Sequence, residues 1–148
     1  MEKYFVYGIM FFLLASTCAA GDVKFKRSKV VVVENDGIKE REASMTLSDS
    51  DIVVAGRFNY HVITRIPYNE ITGLVYEQST HPRVAAAIFL TPLILFTKGT
   101  HHWFSIKYTP MGGKPETMLL RLDKSEQRVF RNLFEQKTGK KIEVVIGN

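Results

Sequence analysis

The sequence predicts a mainly β fold: a small antiparallel barrel or sandwich of about seven strands, closed at one end by a C-terminal amphipathic helix. Three observations carry this prediction. Short β-branched or alternating segments recur along the chain, separated by turn signals. The apolar period changes from two to about 3.6 only near the C-terminus. The 148 residues suit one domain with one core.

The elements follow in order. "KFKRSKVVVVE" (Lys24–Glu34) is a basic lead-in to four valines, residues that suit a pleated surface. "ENDG" (Glu34–Gly37) signals a turn. In "ASMTLS", Ala43, Met45 and Leu47 share one face, and Ser44, Thr46 and Ser48 the other. "SDSD" (Ser48–Asp51) turns the chain and "IVVAG" (Ile52–Gly56) returns it. "HVITRIP" (His61–Pro67), "ITGLVYEQS" (Ile71–Ser79), "HHWFSIKY" (His101–Tyr108) and "TMLLRL" (Thr117–Leu122) read as further strands. The Pro/Gly-rich "TPMGGKPE" joins the last two as a hairpin loop. Asp123 then caps a helix, with Glu126 closing a capping box three residues later. Val129, Phe130, Leu133 and Phe134 form its apolar stripe, and Gly139 its C-terminal cap. "KIEVVI" (Lys141–Ile146) closes the chain as a short strand.

The first twenty residues stand apart from this domain. Glu2 and Lys3 precede an uncharged run, Tyr4 to Ala20, that ends in small residues. Cys18 and Ala20 suit the −3 and −1 positions of a signal peptidase, so residues 1–20 read as a signal peptide cleaved before Gly21. The alternative is an uncleaved N-terminal anchor, for which seventeen apolar residues are at the lower limit. Cys18 is the only cysteine, so the domain at 21–148 has neither a disulfide nor thiol chemistry. Its charge remains +5, because the leader removes one charge of each sign. That balance suits anionic surfaces.

One stretch departs from the rest. Thirteen uncharged residues, Val84 to Phe96, form an apolar insert between two strands. As a helix they would rise only about 20 Å, too short for a hydrocarbon core of about 30 Å. Thr91-Pro92 breaks the run, since the residue before proline avoids α geometry and proline lacks a donor. Two apolar arms result, with Arg83 at one end and Lys98, His101, His102 and Trp103 at or beyond the other. Cations and an indole at one level suit a headgroup interface. Strand alternation sets Trp103 with Ser105 and Lys107, away from Phe104 and Ile106, which points the indole outward. Burial of the insert against the barrel, entry into a membrane, and self-association are the three readings open to it.

The run "MTLSDSDIVVAG…RIPYNEITGLVYEQSTHPR…HHWFSIKY…LLRLDKSEQRVFRNLFEQKTG" resembles a bacterial pleckstrin-homology-like (PH-like) domain. Three pieces carry the likeness: "LSDSDIVV" followed by "IPYNEITGLVYE"; "HPR" before an apolar insert ending in "HHWFSI"; and "LRLDK" opening the last helix. It extends from Met45 to Gly139. The resemblance implies a bent β-barrel capped by the C-terminal helix. The family includes membrane-binding, peptide-binding and scaffolding members, so it implies no single activity. Some eukaryotic relatives bind phosphoinositides through a lysine and then a Lys/Arg-x-Arg. Lys29 and Lys39-Glu40-Arg41 match that form, but Glu34 to Glu42 carries a net charge of −2, which repels a multiply charged headgroup.

Catalysis has no foothold in the sequence. There is no glycine-rich phosphate loop and no nucleophile elbow. His101 and His102 are adjacent in a strand and point to opposite faces, so together they do not chelate a metal. The short cluster Lys24, Lys26, Arg27 and Lys29 lacks interleaved aromatics, which argues against nucleic acid. The expectation is therefore a non-enzymatic, exported module of the periplasm or cell envelope, with no cofactor. It contacts anionic lipid through Arg83, Ile88, Phe89, Leu90, Leu93, Ile94, Phe96, Lys98, His101, His102 and Trp103. Histidine protonation near pH 6, at His81, His101 or His102, would strengthen that contact. The alternative is a protein-interaction module, or a homodimer, using the same apolar surface or a barrel edge.

Overall fold

The computed structural model describes residues 21–34, 37–80 and 99–146. The leader at 1–20, the "ENDG" turn centre and the insert at 84–96 lie outside the described residues. So do Arg83, Ile88, Phe89, Leu90, Leu93, Ile94, Phe96 and Lys98, and the readings placed on them are not met here.

Among the described residues, eight strands form one sheet. They are β1 (Val23–Glu34), β2 (Gly37–Leu47), β3 (Asp51–Gly56), β4 (Val62–Pro67), β5 (Ile71–Ser79), β6 (His101–Tyr108), β7 (Glu116–Leu122) and β8 (Ile142–Ile146). A single 3-10 turn (Tyr68–Glu70) joins β4 to β5, and helix α1 (Lys124–Thr138) follows β7. The spatial order is β4-β3-β2-β1-β7-β6-β5-β8. Every pair is antiparallel except β5–β8, which is parallel. β4 and β8 are the two edges, so the sheet is not closed by hydrogen bonds into the expected barrel. It nevertheless encloses one core. Met45, Ile52 and Ile66 from one half share a cluster with Phe104, Ile106 and Leu120 from the other.

The alternation read in "ASMTLS" is realised: Ala43, Met45 and Leu47 are buried in that core. Phe130 and Phe134 of α1 complete it, with Phe130 set edge-on to both Phe25 and Phe104. The apolar stripe of α1 is narrower than predicted. Leu133 packs at the core margin, while Val129 is half-exposed.

The helix ends where its caps predict. Asp123 Oδ1 accepts from the Lys124 amide at 2.8 Å, and Gly139 sits in the left-handed region at φ 67°. The capping box is different from the expectation. The Glu126 carboxylate accepts the backbone amides of Lys26 and Arg27, each at 3.2 Å. Those amides are available because the β1–β2 register shifts between Phe25 and Ser28, and a bulge leaves its N–H groups without ladder partners. Two amides of a distant strand thus capture the carboxylate and pin the helix start to β1.

Candidate functional site

The same bulge brings charge to the start of α1. Arg27 Nη1 lies 3.3 Å from Asp123 Oδ2. Beside this junction opens a cavity of about 350 Å³. β1 supplies Arg27, Ser28 and Lys29, and the β7–α1 junction supplies Arg121, Leu122, Asp123 and Lys124. Glu42 of β2, Arg57 of the β3–β4 connection and Thr100, His101 and His102 at the start of β6 complete the lining. The last three sit at the C-terminal root of the apolar insert.

Five cations here face two carboxylates. Four of the cations are partly neutralised. Arg27 pairs with Asp123, Arg57 Nη1 with Glu42 at 2.7 Å, and Arg121 Nη2 with Glu40 just behind the lining at 3.2 Å. Lys29 Nζ reaches the same Glu40 at 4.0 Å. Lys124 has no carboxylate partner among the described residues. The field inside is positive even with Glu40 counted, and the helix start adds its own positive end. An anion of headgroup size meets both charge and donors here.

His102 is at the rim. Its Nδ1 and Tyr76 Oη share a hydrogen bond of 2.8 Å, whose direction follows the imidazole tautomer. Burial first, then Lys124 and His101, push its pKa below the ordinary 6.5. Burial, more than the nearby cations, therefore disfavours the positive charge on His102, while His81 lies outside the described residues. The native state therefore binds fewer protons than the unfolded chain just below pH 6.5. The stability contributed by His102 is complete above 6.5 and is lost as the pH falls toward its folded value. An NMR titration of the His102 ring is expected to give a midpoint below 6.5, moving upward when an anion occupies the cavity.

Trp103 occupies the predicted face and not the predicted environment. It lies opposite Phe104 and Ile106, yet it is 0% exposed. Its Nε1 donates to the Ser79 carbonyl at 3.3 Å, the Arg121 guanidinium carbon is 5.7 Å from the ring centroid, and the His101 ring meets it edge-on. Val31, Val75, Ser105 and Leu119, on the same face, are also buried. The indole is thus buried on the face of the sheet away from the core cluster, not an exposed headgroup anchor.

The structure brings two predicted residues, His101 and His102, to the cavity and takes Trp103 out of it. Arg57, Arg121 and Lys124 carry no site motif in the sequence and join the cavity only through the fold. Arg27 and Lys29 belong to the basic lead-in, for which the sequence itself shows no partner. No protein-family model matches this chain, and no curated protein was found to match it.

Proposed function

We propose that this chain is a non-enzymatic binding module of the bacterial cell envelope, built on a curled PH-like barrel. It takes an anionic lipid headgroup into the cavity at the root of its apolar insert, with the insert supplying apolar contact alongside. The observation that carries this reading is the positive cavity lined by Arg27, Lys29, Arg57, Arg121 and Lys124. The core shared between the two halves of the sheet supports the barrel. The envelope location rests on the leader-like residues 4–20.

Vesicle sedimentation tests the proposal. Wild type is expected to bind phosphatidylglycerol-containing vesicles over pure phosphatidylcholine, with affinity falling as salt rises. Lys124→Glu combined with Arg27→Gln should reduce that binding at least about tenfold. A glutamate in the first helical turn suits the dipole, so the fold should persist. Equal binding to both vesicle types, or an unaffected double variant, would refute the headgroup reading. An Ile88→Asp/Leu93→Asp variant that binds as wild type would remove the insert from it.

A second reading, a protein-interaction module, has one observation in its favour. β8 is an edge strand with Val144 and Ile146 exposed, open to a peptide strand or a second copy. Light scattering on the lipid-free protein separates the two, because a stable dimer favours this second reading.

A further inference from the structure

The β3–β4 connection carries the most exposed pair of aromatic side chains in the described residues. Phe58 is 82% exposed and Tyr60 69%. The tip is a built structure. The Tyr60 amide donates to the Gly56 carbonyl at 3.1 Å, and the Gly56 amide to the His61 carbonyl at 2.9 Å. The Arg57 amide donates to the Glu42 carbonyl at 3.2 Å, which ties the tip to β2. A side chain at Gly56 would run into Asn59 Oδ1. Tyr60 has φ 52°, the one positive φ at a non-glycine among the described residues. A tyrosine in that region is strained, and such strain collects at positions with a task other than folding.

Cations surround the two rings. Lys24 Nζ stands 5.2 Å from the Tyr60 centroid, and the Arg57 guanidinium carbon 5.8 Å from that of Phe58. Lys26 joins Lys24, Arg57 and Tyr60 around one hollow, and Arg57 also lines the basic cavity. Arg57 therefore borders both the aromatic tip and the cavity.

We propose that the β3–β4 tip is a membrane anchor, setting Phe58 and Tyr60 into the interfacial zone of an anionic bilayer while the cavity holds a headgroup. This rests on the lipid reading above and assigns it residues that the insert does not include. Rings at the level of flanking lysine and arginine match the composition of a bilayer interface. A second copy of the chain is a poor occupant, because each copy carries +5 and presents the same cations.

Phe58→Ser/Tyr60→Asn tests it with little risk to folding. Both side chains are exposed, and asparagine accepts positive φ better than tyrosine. Two probes are read: sedimentation with phosphatidylglycerol vesicles, and the His102 ring shift on adding glycerol 1-phosphate. The expected result is vesicle binding reduced at least about tenfold with the glycerol phosphate affinity unchanged. Wild-type vesicle binding by the variant overturns the anchor and leaves the headgroup reading intact. No vesicle binding by wild type overturns both. A parallel loss of glycerol phosphate affinity, or a wild-type dimer that the variant dissociates, assigns the tip to the cavity or to self-association and also overturns the anchor.

Discussion

Replacing Phe130 by alanine is expected to remove about 3–5 kcal/mol of folding stability, the range for truncating a fully buried aromatic. A domain of this size has only about 5–15 kcal/mol in total, so the variant should be close to unfolding. The size of the effect follows from what the ring touches. Its centroid lies 5.6 Å from Phe25 and 4.8 Å from Phe104, both nearly perpendicular, and 5.9 Å from Phe134. Phe25 precedes the β1 bulge and Phe104 belongs to the centre of β6. One ring therefore joins the helix to both halves of the sheet, and edge-to-face contacts add to its burial. The adjacent Val129→Ala is the control. Half-exposed on the same helix, it should change stability by no more than about 0.5 kcal/mol. Urea unfolding of both variants checks the prediction, and equal midpoints would contradict the packing described.

Trp103→Ala is expected to cost a similar amount, about 3–5 kcal/mol. An interfacial indole would give a different result, since truncating an exposed ring leaves stability nearly unchanged. Here the loss combines packing against Arg121 and His101 with the hydrogen bond to the Ser79 carbonyl. Trp103→Phe should recover only part of that loss, because it restores an aromatic ring but neither the full indole volume nor the N–H. Thermal or urea denaturation without lipid is the measurement. A Trp103→Ala protein as stable as wild type would return the indole to the surface.

Much of the fold was legible because its signals are local. The period of two in Ala43, Met45 and Leu47 and the Asp123 and Gly139 caps each lie within a few residues of what they specify. Trp103 shows the limit of alternation. It assigns a face correctly, but burial of that face is not a local property: Val31 and Leu119, far away in sequence, share it and are buried too. Glu126 shows a second limit. A capping box is a local motif, and two amides from a bulge about a hundred residues earlier outcompeted it. The cavity was the least legible feature. Its cations come from β1, the β3–β4 connection, β7 and the start of α1, and no spacing rule links Arg27 to Arg57 or Lys124. The positive field exists only once the strand order brings these segments together.

The place of β1 in that order has a consequence for how the chain is made. β1 is the first strand in sequence, yet it sits inside the sheet between β2 and β7. Its β2 partner arrives at once through a hairpin. Its other edge stays open until Leu119 to Leu122 have been delivered, some ninety residues later. Closing so long a loop makes this pairing slow compared with the hairpins. Until then a valine-rich strand offers unpaired backbone to any neighbouring chain. Lys24, Lys26, Arg27 and Lys29 stand immediately before those valines. Four like charges at that place oppose edge-to-edge pairing between unfolded copies while β1 waits for β7.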